Sequence, residues 1–152
     1  MHVRTPLTLV LLAMTVTPVL AVAQGGRAKS ASAAVEEYIK AAADSNLKRM
    51  AELIGTDKGS AARVGLPGGS VEKRMVFTQA WLSRVSVRAL SELGGGKKNE
   101  RTVTTEIARN GCKVVIPVLA VNTEKDGWLV RNLDLDQVKL NCQSTGGGNP
   151  SN

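Results

Sequence analysis

Apolar residues recur at helical spacing in the first half of the chain. Spacings of three and four positions predict one helix over residues 32–42, a second over 47–54 and a third over 71–83. Residues 44–46, Asp-Ser-Asn, separate the first two, because these residue types favour helix caps over helix interiors. Ser70 is positioned to cap the third helix.

The second half of the chain alternates apolar and polar residues. This period of two predicts strands over residues 85–89 and 103–107, a long strand over 112–122 and a last strand over 128–135. Asn110-Gly111 is a strong hairpin signal between the second and third strands. The strands therefore form an antiparallel meander.

Three helices followed by four strands predict an α+β domain. The expected architecture is three N-terminal helices packed on one face of a curved, four-stranded antiparallel sheet. Residues 55–69 contain five glycines and a proline, so they are predicted to be a loop. Pro117 lies inside the longest predicted strand, which requires either a bulge or a position where no ladder N–H is needed.

The N-terminus has the pattern of a secretory signal peptide. A short basic segment, residues 1–4, precedes an uncharged apolar core at 7–14, and small residues lead up to Ala23. Cleavage is expected between Ala23 and Gln24. A transmembrane anchor is the alternative, but threonines and a proline at 15–18 leave the apolar run short of a spanning helix. The mature protein is thus expected to be exported, either periplasmic or secreted.

The remaining chain divides by composition. Residues 24–30 are predicted to be a flexible lead-in, 31–142 a single folded domain, and 143–152 a disordered tail of Gly, Ser, Asn and Pro. Of 152 residues, 129 remain after cleavage, which is the size of one domain.

Cleavage also removes the only histidine, His2, and lowers the net charge from +7 to +6. A chain without histidine has no imidazole for a Ser-His-Asp triad, for zinc or for haem. We therefore predict no metal site and no cofactor.

The positive charge is concentrated between residues 63 and 113, which contain ten Lys or Arg and four Asp or Glu. Such clustering favours contact with an anionic component of the cell envelope, such as a polymer or lipid headgroups. Nucleic acid is not predicted as a partner, because only 3% of residues are aromatic and export places the chain in the wrong compartment.

Two cysteines, Cys112 and Cys142, remain in the mature chain. Export favours a disulfide between them, with two free buried thiols as the alternative. Closing this loop would stabilise the fold by roughly 3 to 4 kcal/mol by restricting the unfolded chain.

Two segments resemble the nuclear transport factor 2-like superfamily, whose cone-shaped, cystatin-like fold is shared by ketosteroid isomerase and scytalone dehydratase. Residues 34–54 are similar to the helix, polar break and short helix that open such domains, and 124–130 are similar to the acidic-Gly-Trp turn into their final strand. Neither segment identifies a subfamily. The resemblance implies an exported member of unknown function.

The resemblance nominates Tyr38, because ketosteroid isomerases carry an oxyanion-binding tyrosine at this place on the first helix. Their general-base aspartate follows about two dozen residues later, where residues 61–66 contain no carboxylate. An oxyanion donor stabilises an enolate, but without a general base no proton is abstracted to form that enolate. The candidate ligand-binding residues are the four aromatic side chains of the mature chain, Tyr38, Phe77, Trp81 and Trp128.

The leading hypothesis is an exported, non-catalytic domain that binds a small molecule or a protein. One alternative is an isomerase- or lyase-like enzyme that uses Tyr38 inside the cone. Another is an envelope-associated structural protein bound through the basic middle segment. The resemblance also implies a homodimer through the outer sheet face, where Thr102, Thr104 and Glu106 are expected.

Overall fold

The computed structural model describes residues 26–138. Within them, helices come first and a four-stranded antiparallel sheet follows, which confirms the α+β class. The helices are α1 (Ala31–Ala43), α2 (Leu47–Leu53), α3 (Ala61–Val64) and α4 (Val71–Leu82). The strands are β1 (Gly55–Thr56), β2 (Gly59–Ser60), β3 (Ser86–Gly94), β4 (Glu100–Arg109), β5 (Cys112–Thr123) and β6 (Gly127–Asn132).

The prediction of three N-terminal helices was wrong in number. The glycine-rich segment predicted as a loop contains the small hairpin β1–β2 and then the single turn α3. Gly65 ends this turn with φ 76°, a conformation that a residue without Cβ adopts easily. Residues 135–138 are also helical, where an extension of the last strand was predicted up to residue 135.

Side-chain caps fix where the main helices begin. The Ser30 hydroxyl accepts a hydrogen bond from the Ala33 amide at 3.0 Å, at the start of α1. At the start of α4, the Ser70 hydroxyl accepts from the Lys73 amide at 3.4 Å. Each cap satisfies an amide that has no partner inside the helix.

The four long strands pair in sequence order, β3-β4-β5-β6. Asn110 and Gly111 form the predicted tight turn between β4 and β5, with φ angles of 48° and 79°. The β3–β4 register shifts between Ala89 and Ser91. Such bulges bend and twist a sheet, as the predicted curvature requires.

Pro117 fits into β5 without a bulge at its own position, because it pairs in register with Thr104 of β4. On the other side, β6 ends at Asn132, which faces Leu119, so position 117 lies beyond the end of β6. No neighbouring strand needs the N–H that proline lacks.

The core lies between the helices and one face of the sheet. Helix α1 packs along the sheet, and α4 packs against α1 and α2. Two carboxylates, one on α1 and one on β3, accept hydrogen bonds across the contact between these two elements. Glu36 accepts from the Ala89 amide at 2.7 Å, and Glu92 accepts from the Ser32 amide and hydroxyl at 3.1 and 2.9 Å.

Residues 26–30 contact the domain, and the flexibility predicted for residues 24–30 stays a prediction. The Gly26 carbonyl accepts from Arg49 at 2.8 Å, and Ala28 forms a bridge with Trp128. The predicted signal peptide with its cleavage at Ala23 and Gln24, Cys142 and the predicted tail at 143–152 lie outside the described residues.

Candidate functional site

Side chains pack the space between the helices and the sheet, where a cone-shaped fold would hold a ligand. Each of the largest is no more than 2% exposed, and α1, α2, α4 and the sheet all contribute. They include Tyr38, Ile39, Met50, Met75, Leu82, Ile107 and Ile116. The groove described below lies at the surface.

Tyr38 is part of this core and is 1% exposed. Burial raises its pKa to about 12, despite a hydrogen bond with Thr78 and the nearby positive charge of Arg74, which both act in the opposite direction. At neutral pH the phenol is therefore a neutral group whose hydroxyl already has a partner. Its chemistry here is that of a satisfied core tyrosine.

The four aromatic side chains do not converge on one place. Phe77 and Trp81 contact each other on α4, with ring centroids 6.4 Å apart and planes tilted by 59°. Trp128 lies on β6, where the guanidinium carbon of Arg101 is 5.8 Å from its ring centroid. Tyr38 lies in the core.

The outward face of α4 carries the aromatic pair to the surface. Met75, Thr78 and Leu82 form the buried side of this helix. The opposite side exposes 60% of Phe77 and 47% of Val76. We define the α4 outer face by its residues, which are Lys73, Val76, Phe77, Ala80 and Trp81. Its apolar exposure is large for a helix that already has a buried side.

A second apolar surface covers the outer face of the sheet. Three cross-strand rows run over β3, β4 and β5, since residues opposite each other share a face. The rows are Leu93–Thr102–Leu119, Ser91–Thr104–Pro117 and Arg88–Glu106–Val115. We name these nine residues the outer sheet face. Leu93 is 61% exposed and Val115 is 52% exposed.

A polar groove of about 680 Å³ lies between α1, the start of α2 and residues 26–29. Arg49 neutralises two carboxylates in this groove, since its guanidinium is 2.5 Å from Glu37 and 3.1 Å from Glu52. Lys29, Lys40 and Lys48 also line the groove. The groove is open to solvent and charged, and it contains none of the four aromatic residues.

The sequence did not reveal the ion pair between Arg63 and Asp126. Their side chains approach to 2.8 Å, and Asp126 also accepts from the Ser60 amide at 2.9 Å. The Arg63 hydrogen bond is the largest cause that lowers the pKa of Asp126, and burial opposes it. Asp126-Gly127 signalled a turn, but nothing in the sequence indicated a partner 63 positions away.

Glu100 is a second acidic residue that sequence reasoning missed. Its side chain is 8% exposed and is paired with Arg131 at 2.5 Å, while the Lys97 ammonium is 4.0 Å away. Arg131 reaches towards Asp57 at 3.9 Å. The alternation of residues 103–107 predicted this strand, but the strand begins three residues earlier, at Glu100, where nothing in the sequence indicated a buried carboxylate.

In residues 26–138, no three His, Cys, Asp or Glu side chains come close enough together to hold a metal ion. Among the helices that the structure describes, none is long and apolar enough to cross a bilayer.

Helices on one face of a four-stranded antiparallel meander, a side-chain-filled interior and two solvent-facing apolar surfaces define an α+β domain. No protein-family model matches the chain, and no curated protein matches it. Among solved structures, it is similar to an NTF2-like protein of unknown function from Cytophaga hutchinsonii. The TM-score is 0.41 and the identity is 16%, over 67% of this chain and 88% of the other. That protein is of the nuclear transport factor 2-like type that the sequence resembles.

Proposed function

We propose that the mature chain is an exported, non-catalytic binding domain of nuclear transport factor 2-like fold whose partner is a protein chain, in the first instance a second copy. The observation that carries this proposal is the contrast between a filled interior and an apolar outer sheet face. A small molecule inside the cone would need space that core side chains occupy, and the surface groove of about 680 Å³ is charged and open to solvent. A protein partner needs only an exposed surface.

The outer sheet face has the chemistry of a self-complementary interface. Leucine, valine, proline and threonine make up most of it, and its charges, Arg88 and Glu106, are 3.5 Å apart. Burying this surface would desolvate few charges without a partner, which is what the centre of a stable interface requires. A two-fold axis through the face would bring the same rows of two copies together.

The isomerase- or lyase-like alternative has less support. A catalytic Tyr38 would need a substrate beside its hydroxyl and a base to take up a proton. Its hydroxyl is instead bonded to Thr78, and the side chain is buried in the core. Export rests on the N-terminal sequence, and an intact mass beginning at Gln24 is its expected signature.

Sedimentation velocity over a wide concentration range tests the proposal. We expect a monomer–dimer equilibrium that Val115→Lys weakens about a hundredfold or more, since charges buried without partners cost several kcal/mol. Val76→Lys is the matched control, because Val76 on α4 is 47% exposed and Val115 is 52% exposed. A chain that stays monomeric, or a dimer that both variants weaken equally, would overturn the proposal.

A further inference from the structure

We propose that the α4 outer face is a docking surface for an anionic lipid bilayer. The inference goes beyond the proposed function, because it concerns the helical side of the molecule and a different class of partner. It does not require the outer sheet face to bind a second copy.

The first argument is the apolar character of this face. A surface helix normally turns one apolar side inwards and a polar side outwards. Helix α4 has its inward side in Met75, Thr78 and Leu82, yet Val76 and Phe77 point to solvent. Core packing explains the apolar residues on the inward side. It does not explain Val76 and Phe77, which are therefore available to a partner.

The second argument is the packing that supports the face. Helix α4 packs on α1 and α2, and the rings of Phe77 and Trp81 contact each other with their planes tilted by 59°. Rings that already contact each other lose less side-chain entropy when a partner buries them.

The third argument is that positive charge lies beside the apolar residues of α4 and is not compensated by ion pairs. Arg63, Arg88 and Lys97 of the basic segment form ion pairs with Asp126, Glu106 and Glu100. In the part of the chain that the structure describes, no ion pair involves the cations of α4 and its C-terminal end. These cations are Lys73, Arg74 and Arg84, and Glu72 is the exposed acidic residue of the same helix.

The combination favours a lipid surface over a polymer. Phenylalanine and tryptophan bury their rings at the boundary of headgroups and acyl chains, while lysine and arginine reach anionic headgroups from the same helix. A polyanion without an apolar phase would use the cations but not Phe77. A helix of 12 residues is too short to span a bilayer, so it would lie in the interface plane.

Co-sedimentation of the full mature chain with vesicles tests the proposal. The probe is a mixture of phosphatidylcholine and phosphatidylglycerol, compared with phosphatidylcholine alone across a salt series. We expect binding to the anionic vesicles that falls as salt rises. Phe77→Ser should weaken it about tenfold. Val64→Ser is the control, because Val64 is also an exposed apolar side chain, 44% exposed against 60% for Phe77, and lies on α3, outside both the α4 outer face and the outer sheet face.

A second pair of variants tests the charge. Lys73→Gln on α4 should weaken vesicle binding about fivefold, as expected for one basic side chain near an anionic surface. Lys113→Gln, an exposed cation of the same basic segment on β5, should leave it within about twofold. Equal effects of the two variants would overturn the assignment to α4.

Fluorescence supplies an independent measurement. Trp128→Phe leaves Trp81 as the only tryptophan, and its emission should shift to the blue and be quenched by lipids brominated in their acyl chains. Absence of vesicle binding at low salt would overturn the proposal. So would binding that Phe77→Ser does not change, which would indicate a purely electrostatic polyanion contact, or capture of a protein by this face without any lipid affinity.

Discussion

Tyr38 shows how burial changes the chemistry of one residue. Its pKa is raised to about 12, mainly by desolvation. An unfolded chain would lose the same proton at about pH 10. Stability from the buried neutral phenol is therefore complete below about pH 10 and is lost progressively as the pH rises towards 12.

The chain has one tyrosine, so this prediction can be measured directly. Near-ultraviolet absorbance should report phenol ionisation near pH 12 in the folded protein and near pH 10 in denaturant. Tyr38→Phe should remove the alkaline loss of unfolding free energy attributable to this group, about 2 to 3 kcal/mol. A folded-state midpoint near pH 10 would show that the hydroxyl is exposed to water.

Asp126 shows the opposite direction of pKa shift. Arg63 and the Ser60 amide stabilise its carboxylate, so its folded-state pKa lies below the ordinary value. Stability from this group is present at neutral pH and is lost as the pH falls through the folded-state pKa. The side chains of Arg63 and Asp126 are 40% and 18% exposed, so water screens the pair and the contribution is modest.

Asp126→Asn should therefore lower the free energy of unfolding at pH 7 by about 1 kcal/mol and flatten its acid dependence. Urea denaturation at several pH values measures both effects. Glu124→Gln in the same turn is the control, because among the described residues its carboxylate has no ion pair. Equal losses in both variants would mean that the turn, and not the Arg63 contact, depends on the charge.

At the scale of the elements, the capping serines should contribute unequally. Ser30 accepts its hydrogen bond at 3.0 Å in a partly buried setting, whereas Ser70 accepts at 3.4 Å in an exposed one. Ser30→Ala should cost about 1 kcal/mol of unfolding free energy, and Ser70→Ala should cost clearly less. Chemical denaturation of the two variants measures both losses of unfolding free energy. A larger loss for Ser70→Ala than for Ser30→Ala would contradict the prediction.

Periodicity predicted the long elements because a helix or strand with one buried face repeats its apolar positions. Helix α1 and strand β5 are examples. It missed α3, since Ala61–Val64 is a single turn, too short to show a period. It also extended the last strand to residue 135, because Leu133 and Leu135 continue the alternation after the ladder ends at Asn132.

The candidate site was harder to predict than the fold. Phe77 and Trp81 are four positions apart, and a spacing of four places both on one side of α4. It could not decide which side faces the core, because Met75 and Leu82 make the other side equally apolar. Only packing against α1 and α2 settles this, and that contact depends on residues distant in sequence.

At the scale of the whole molecule, net charge alone does not locate a binding surface. The basic segment spreads over α3, α4 and the sheet, and three of its cations are neutralised by ion pairs. The outer sheet face and the α4 outer face then differ in chemistry. The first contains the ion pair of Arg88 and Glu106, whereas the second contains Lys73, which forms no ion pair with the described residues. A self-association surface and a lipid-binding surface could therefore coexist on one small domain.

The predicted disulfide would connect the end of this molecule to its sheet. Cys112 begins β5 and is 7% exposed, while Cys142 lies outside the described residues. Cys142→Ser should lower the free energy of unfolding by roughly 3 to 4 kcal/mol, because an open loop gives the unfolded chain more freedom. Cys112→Ser should cost more, because it also places a hydroxyl in a buried position.

Reducing agent should destabilise the original protein but neither variant, and intact mass should show two hydrogens gained on reduction. If reductant leaves the original protein unchanged in mass and stability, the two cysteines are thiols.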